Sequence, residues 1–183
     1  DEQFAHAVVV GFGNADLDAS MGAAYGPDPI RMRFGVGGSP ADDLADLADA
    51  LGWETALLAG QSWGGNVVLE ALARHPGRFL GAVCIDGGFI RLRERFENWE
   101  DCAATLAPPH LIGTPVDQMR RWVDTSASDW PEEGRLGTMA NFEVRDDGTI
   151  APWLTRERHM AILAGMWDHD PVATVTGLDR PIH

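Results

Sequence analysis

The sequence is poor in cysteine and in basic residues, and it has no long apolar run. Its two cysteines, Cys84 and Cys102, are too few for a disulfide framework. No apolar run approaches the ~18 residues that span a bilayer, and no signal peptide is recognisable. Lysine and arginine number 14 against 28 aspartates and glutamates, and the net charge of -14 argues against nucleic acid or an anionic membrane as a partner. These features predict a cytoplasmic globular protein.

Motifs for cofactors are missing as well. The segment Gly11-Phe12-Gly13 lacks the third glycine and the later acidic residue of a dinucleotide-binding fingerprint. No pattern typical of a metal site, a phosphate-binding loop or an internal repeat is present. We therefore expect no cofactor and no metal ion, and the sequence makes no prediction of the oligomeric state. With 183 residues, the chain is long enough for one domain that buries roughly 70% of its unfolded surface.

What the sequence does contain is a serine in a glycine-rich turn, GQSWG at residues 60–64. An apolar run at 55–59 precedes the turn and a helix-like run at 66–75 follows it, so the pattern is strand, turn, helix. A turn of this kind projects the serine hydroxyl above a sheet, and it needs glycine at both ends because strand and helix approach closely there. The amino end of the helix also favours a developing oxyanion. The pattern predicts that Ser62 is a nucleophile.

The flanking segments continue the alternation of strands and helices. Ser39 and Pro40 are typical of a helix start, and Gly52 is typical of a helix end. Leucines at 44, 47 and 51 fall on one face of the helix between them, and Asp42 stands where a capping box has an acid. A further strand is predicted at Phe79–Ile85. Strands separated by helices in this rhythm predict a parallel sheet.

These residues carry a family resemblance. Residues 41–89 resemble the central segment of the α/β-hydrolase fold, and the sequence SWGG from Ser62 is similar to the S-x-G-G variant common in that family. The resemblance implies an α/β fold with a mostly parallel sheet, flanking helices and an inserted helical cap. It also implies three regions: an α/β-hydrolase core at 1–90, a cap or lid at 91–170, and a lead into a further core strand at 171–183.

The predicted cap has its own composition. Five of the seven tryptophans lie there, at positions 99, 122, 130, 153 and 167. Most are expected to pack the cap, while one or two line an apolar substrate pocket. A hairpin is predicted at 143–150, turning at Asp147-Gly148, and a helix at 155–167. Residues 172–178 are interpreted as a loop or as the lead into a strand, and His169, between two aspartates, as part of a charged loop.

Two placements of the first 40 residues stay open. In the first, residues 8–14 hold a strand and then the oxyanion loop of the family, with Phe12 donating a backbone N–H, and the next strand lies at 30–34. In the second, residues 8–14 are themselves that later strand and turn, and the oxyanion strand is missing. Val10 stands where the family has histidine, and the Asp-x-Arg that usually precedes the turn is absent in both placements. We prefer the first.

The resemblance implies a catalytic triad in the order serine, acid, histidine, with the acid and the histidine on loops after two later strands. Both strands would lie beyond His183, so we expect a fragment or a degenerate member. Two residues within the chain are possible substitutes. Asp86, after the predicted third strand, is either an acid or a purely structural aspartate, and His159 is either a base facing the serine or a histidine of the core. The backbone N–H of Trp63 is expected to be one oxyanion donor, and that of Phe12 the second.

The implied activity is hydrolysis of a small or medium apolar ester or related acyl compound through an acyl-enzyme on Ser62. Perhydrolysis, carbon–carbon bond hydrolysis, acyl transfer and lyase reactions use similar machinery and stay open. Two alternatives from other classes also stay open. One is a ligand-binding protein that has lost catalysis, and the other is a fragment without function.

Overall fold

The computed structural model describes residues 7–10 and 39–183. This part of the chain divides into two compact units: residues 7–10, 39–102 and 164–183 form the first, and residues 103–163 the second. No helix within these described ranges is both long and apolar enough to cross a membrane. The strands are β1 (Ala7–Val10), β2 (Ala56–Gln61), β3 (Phe79–Ile85), β4 (Phe142–Val144) and β5 (Ile150–Pro152). The helices are α1 (Pro40–Ala50), α2 (Trp63–Arg74), α3 (Trp99–Leu106), α4 (Val116–Ser126), α5 (Glu132–Met139), α6 (Arg156–Asp168) and α7 (Pro171–Val175), with a 3-10 turn at Leu92–Glu94.

The first unit is built on a parallel sheet in the order β1-β2-β3. Val10 of β1 pairs with Gly60 of β2, and Gly60 pairs in turn with Cys84 of β3. Beyond β3, Ile182 forms an isolated parallel bridge with Ala82. Parallel neighbours need crossover connections, and α1 and α2 lie in the connections between consecutive strands. The predicted α/β fold with a parallel sheet and flanking helices is confirmed.

Helix α1 forms where the sequence pattern predicts it. The Ser39 hydroxyl accepts a hydrogen bond from the Ala41 N–H at 3.3 Å, and Pro40 occupies the first helical position. A cap of this kind contributes ~1 kcal/mol. Gly52 follows the helix in the left-handed region, with a φ of 69°, where glycine is favoured. The start and the end of α1 are therefore both set by local residues.

Asp42 contacts the carboxyl end of α2 instead of closing a capping box. Its Oδ1 lies 2.9 Å from His75 Nε2, and its Oδ2 lies 3.2 Å from Arg74 Nη2. Basic side chains favour the carboxyl end of a helix because they complement its dipole, and Arg74 also gives the carboxylate a charge-assisted partner there. The capping-box interpretation is therefore replaced by a link between α1 and α2.

The core of the first unit lies between the sheet and helices α1 and α2. Fully buried apolar side chains come from both layers, namely Leu44, Leu58, Val68, Leu69, Leu72 and Phe79. Each side chain of this size contributes roughly 1.5–3 kcal/mol when it is buried. The two elements on either side of Ser62, β2 and α2, are therefore held in place by apolar packing.

The second unit is organised around α4 and a β-hairpin. Met119 and Val123 of α4 pack with Ile150 of β5 in one buried apolar cluster. Strands β4 and β5 pair antiparallel, with Val144 opposite Ile150. Gly148 in the turn has a φ of 77°. The hairpin predicted at 143–150 is confirmed, including its turn.

The tryptophans of the second unit are largely exposed. Trp122, Trp130 and Trp153 expose 59%, 52% and 46% of their surface. The expectation that most of the five tryptophans pack a cap is therefore wrong for these three. In α4, for example, the buried positions Met119 and Val123 are one turn apart, and Trp122 lies off that stripe.

Two other tryptophans contact each other within the first unit. The rings of Trp99 and Trp167 meet edge to face, with centroids 6.1 Å apart. The Arg93 guanidinium lies over the Trp167 ring, 5.1 Å from its centroid, and donates to the Trp167 carbonyl at 2.8 Å. The start of α3 and the end of α6 are thus joined by aromatic and cationic contacts.

Residues 171–175 form α7, so the expectation of a loop or strand at 172–178 is wrong for that part. The Asp170 carboxylate accepts hydrogen bonds from the N–H groups of Val172 and Ala173 at 3.1 and 3.2 Å. Pro171 occupies the first helical position. An N-cap followed by proline is a strong helix start, and it outweighs the low helix propensity of the valines and threonines that follow.

Candidate active site

Ser62 occupies the junction between β2 and α2. Strand β2 ends at Gln61 and α2 begins at Trp63, so the serine alone makes the turn. Its φ of 54° and ψ of -124° lie outside the regions that side-chain-bearing residues usually adopt. Such a conformation costs ~1–3 kcal/mol and persists only where the surrounding structure fixes it, often at functional sites.

The strained turn is enclosed by backbone atoms. A β-carbon on Gly60 would overlap the Gly64 carbonyl group, so strand and helix meet there with no side chain between them. The Ser62 N–H donates to the Ile85 carbonyl at 2.9 Å, and the Gly65 N–H donates to the Ser62 carbonyl at 3.0 Å. The glycine expected at position 60 is thus required by close approach of the backbone.

The loop at residues 86–90, which follows β3, packs on the same turn. A β-carbon on Gly87 would overlap the Ser62 carbonyl oxygen. A β-carbon on Gly65 would likewise overlap the backbone nitrogen of Gly88. The loop therefore supports the turn by direct backbone contact.

The amino end of α2 forms the side of the site that favours negative charge. Trp63 is the first residue of this helix and is 7% exposed. Backbone N–H groups at a helix start, together with the helix dipole, stabilise an anion. Phe12, the second predicted oxyanion donor, lies outside the described residues, as does the strand predicted at 30–34. Strand β1 ends at Val10, opposite Gly60, and so at the same edge of the sheet as Ser62.

Asp86 directly follows β3 and has a φ of 48°. Its side chain is exposed, and it forms no hydrogen bond or ion pair with another described residue. The structure places it next to Gly87, which touches the Ser62 backbone. In the described part of the chain, its carboxylate has no histidine to orient. The role of Asp86 as a catalytic acid stays a prediction.

His159 lies in α6, within the second unit, whereas Ser62 belongs to the first. It is half-buried. The pKa of its imidazole lies below the ordinary value because burial disfavours the charged form and because Arg156 adds a like charge. A neutral imidazole can accept a proton. Its protonation state therefore suits a base, and its role as the base stays a prediction.

The structure contains a buried polar pair next to the turn that the sequence analysis did not predict. Asn66, one helical turn after Ser62, is 3% exposed, and its Nδ2 lies 3.0 Å from the Ile90 carbonyl oxygen and 3.1 Å from His169 Nδ1. His169 lies in the predicted charged loop, between α6 and α7 and flanked by Asp168 and Asp170, but its side chain is only 17% exposed. One available signal was the single amide side chain within the apolar first half of α2.

Other reactive groups in the described residues form no second site. No cluster of three or more histidine, cysteine, aspartate or glutamate residues suited to a metal ion occurs there. Cys84 and Cys102 are free thiols, and burial raises the pKa of both. A thiol with a raised pKa stays protonated at neutral pH and is a weak nucleophile. Neither thiol therefore replaces Ser62, whose role as the nucleophile stays a prediction.

Comparison with known proteins places the fold. A family model described as alpha/beta hydrolase fold matches residues 25–142. An alpha/beta hydrolase from Novosphingobium aromaticivorans is similar with a TM-score of 0.62 and 18% identity, over 100% of this chain and 72% of that chain. E-2-(acetamidomethylene)succinate hydrolase is similar with a TM-score of 0.58 and 21% identity, over 78% of this chain and 52% of that chain. A thioesterase domain from the curacin biosynthetic pathway is similar with a TM-score of 0.57 and 12% identity, over 100% and 74% of the two chains.

The coverage of these structures is partial. This chain spans about half of the E-2-(acetamidomethylene)succinate hydrolase and under three quarters of the other two structures. At such low identities the likeness shows the fold alone. A comparison with curated proteins finds no match.

Proposed function

Since this chain belongs to the α/β-hydrolase fold family, we propose that it carries serine-hydrolase chemistry, with Ser62 as the nucleophile. The observation that supports this most directly is the backbone at Ser62, which is strained, enclosed by glycines and placed at the amino end of α2. Strain of this kind turns a serine hydroxyl out of the line of the strand. A serine with a structural role alone would not need it.

In the proposed reaction, Ser62 Oγ attacks the acyl carbonyl of the substrate and a base takes its proton. The resulting oxyanion is held by the backbone N–H of Trp63 and, as predicted, by that of Phe12. One such donor contributes about 3 kcal/mol to catalysis. Collapse of the intermediate expels the alcohol or other leaving group and leaves an acyl-enzyme, which water then hydrolyses.

The acid and the base form the second part of the proposal. Asp86 and His159 are the proposed groups within the chain, on the grounds of position after β3 and of a neutral imidazole at pH 7. Losing one member of a serine triad can lower turnover by a factor of ~10⁶. The rate at which Ser62 reacts therefore tells directly whether a base is supplied.

For the substrate, we propose a chemical class and no single compound. E-2-(acetamidomethylene)succinate hydrolase and the thioesterase domain differ in the compounds that their names indicate, yet both are similar to this chain in fold. We therefore assign a small or medium apolar ester or related acyl compound, without naming one. The cytoplasmic location expected from the composition remains part of this proposal.

A fluorophosphonate serine probe tests the nucleophile. We expect stoichiometric labelling, measured as intact mass, that disappears in Ser62→Ala. Ser128→Ala is the matched control, because Ser128 is an exposed serine of the second unit, and this variant should label like the wild type. Absence of labelling in a folded, monodisperse sample would refute the proposal that Ser62 is activated.

A ligand-binding protein without turnover is the second candidate. The observation in its favour is that no described residue forms a hydrogen bond with the Ser62 hydroxyl. Such a protein would unfold cooperatively and be stabilised by apolar acyl compounds, yet leave Ser62 unlabelled. A fragment without function would instead show a broad thermal transition and aggregate through unpaired sheet edges.

A further inference from the structure

The loop at 86–90 meets the turn at Ser62 through close backbone contacts. Gly87 meets the Ser62 carbonyl, and Gly88 meets Gly65, each so closely that no β-carbon would fit. Backbone atoms cannot change rotamer to absorb a displacement, as side chains can. Any movement of this loop is therefore passed directly to the residue that carries the hydroxyl.

Asn66 anchors the far end of this loop. The carbonyl of Ile90 can only accept a hydrogen bond, so the Nδ2 group of Asn66 must face it, at 3.0 Å. The second hydrogen of Nδ2 faces His169 Nδ1 at 3.1 Å. Its Oδ1 is buried with no partner among the described residues. A buried, unpaired oxygen reduces stability, and an apolar side chain of the same size would avoid that cost. What Asn66 contributes is therefore its two donated hydrogen bonds.

His169 fixes Asn66 from the opposite side. Because Nδ1 accepts from Asn66, the neutral ring carries its hydrogen on Nε2. Nε2 lies 3.2 Å from Thr174 Oγ1 and 3.3 Å from Glu70 Oε2, and Thr174 Oγ1 donates to the same Glu70 oxygen at 3.2 Å. The ring thus bridges from Asn66 to a second residue of α2, one turn further on, and to α7. Both partners of the Asn66 amide, the Ile90 carbonyl and the His169 ring, belong to the first unit.

We propose that Asn66, braced by His169, is a positioning residue that holds the 86–90 loop against the backbone of Ser62 and so keeps the serine in its strained conformation. The inference rests on the proposed function only in taking Ser62 as the reacting group. The geometric part, loop against turn, stands on the contacts alone.

Amide hydrogen exchange tests the geometric part. Asn66→Leu removes both donated bonds at nearly constant volume, and we expect at least tenfold faster exchange at the N–H groups of Ser62 and Gly65. Asn141→Leu is the matched control, because Asn141 in the second unit also donates from Nδ2 to two carbonyls and also has a buried, unpaired Oδ1. This control should leave exchange at the turn unchanged. Unchanged exchange at Ser62 and Gly65 in folded Asn66→Leu would overturn the proposal.

Variants of His169 separate a specific bond from general packing. His169→Asn keeps an acceptor near the position of Nδ1 and should exchange close to the wild type, whereas His169→Leu removes it and should resemble Asn66→Leu. If Asn66→Leu does not fold, His169→Leu decides in its place, since it leaves the Ile90 bond available. Equal exchange in the two His169 variants would overturn the bracing role.

Labelling by the fluorophosphonate probe tests the consequence for the serine. At saturating probe, we expect Asn66→Leu to label about tenfold more slowly, with the half-saturating probe concentration unchanged, because only the position of the nucleophile changes. A wild type that exchanges as expected but never labels would refute the proposed function and leave the positioning role supported. Faster exchange with an unchanged labelling rate would overturn the positioning role while the proposed function stands.

Discussion

Backbone atoms, rather than side-chain chemistry, decide which residues can stand next to Ser62. Gly87 faces the Ser62 carbonyl so closely that a β-carbon would overlap it. Its φ is not in the left-handed region, so the requirement for glycine there is steric. Relief would need a shift of the loop or of the turn, since neither side of the contact is a flexible side chain.

We expect Gly87→Ala to lower the free energy of unfolding by about 1–3 kcal/mol. Gly165→Ala is the control, because a β-carbon at that position of α6 meets open space and alanine favours a helix over glycine by about 0.8–1 kcal/mol. Urea denaturation followed by tryptophan fluorescence measures both changes. Equal stability of Gly87→Ala and the wild type would contradict the backbone contact.

Because of His159, we expect the free energy of unfolding to depend on pH. Burial and Arg156 hold the pKa of its imidazole below the ordinary value of 6.5, so the unfolded chain takes up a proton first as the pH falls. Stability is then lost as the pH drops through 6.5 towards the folded pKa. We expect His159→Gln to make the fall in Tm between about pH 7.5 and 5.5 shallower, because it removes this linkage.

Thermal melts across this range test the assignment. His110→Gln is the control, because His110 is an exposed histidine of the same unit. An unaltered slope in His159→Gln would mean that the imidazole is not held neutral by its surroundings.

The residues of the site differ in how far sequence alone could identify them. Ser62 could be identified from the sequence because the strand, the glycine turn and the helix follow one another directly in the chain. Asn66 and His169 meet only after the chain has folded back across more than a hundred residues. Nothing in the charged surroundings of His169 indicates that its partner is an amide in α2.

At the scale of secondary-structure elements, short helices depend on their caps. Helix α7 has only five residues and is started by the Asp170 carboxylate, which accepts two backbone N–H groups. It also packs on α2 through Thr174, which donates to Glu70 at 3.2 Å. Loss of the cap should therefore loosen the helix that braces His169.

We expect Asp170→Ala to lower the free energy of unfolding by about 1 kcal/mol, the usual contribution of an N-cap. Asp179→Ala removes the same charge from an exposed position outside any helix and should be nearly neutral. Chemical denaturation of the two variants makes the comparison. A larger loss in Asp179→Ala would show that the charge, and not the cap, is what matters.

Elements with a clear periodicity were predictable, and the others were not. Strand Phe79–Ile85 and helix α1 agree with the sequence pattern because burial, period and caps all favour the same structure there. Helix α7 is too short to show a period, and only its Asp-Pro start indicates it. The parallel bridge of Ile182 to Ala82 depends on pairing between distant segments, which no local pattern specifies.

At the scale of the whole molecule, the charge of -14 opposes the compact state through self-repulsion. Salt screens such repulsion over a Debye length of about 10 Å at 0.1 M. We expect the Tm to rise by a few degrees between about 20 and 300 mM sodium chloride, since long-range repulsion is then largely screened. Differential scanning fluorimetry measures the Tm. Potassium chloride should raise the Tm as much as sodium chloride does, whereas sucrose of equal osmolality should not reproduce this rise. A Tm that falls with both salts would show that attractive ion pairs dominate instead.

The bridge between Ala82 and Ile182 also has a consequence for synthesis of the chain. The Ala82 N–H donates to the Pro181 carbonyl at 3.0 Å, and the His183 N–H donates to the Ala82 carbonyl at 3.0 Å. These partners leave the ribosome about a hundred residues after β3 itself, a delay of roughly 5–20 s at ordinary translation rates. During that time β3 presents an open edge together with Val83 and Ile85, which are 40% and 47% exposed in the described part of the chain. We therefore expect the nascent chain to pass through an interval in which this strand edge is open to pairing with another chain.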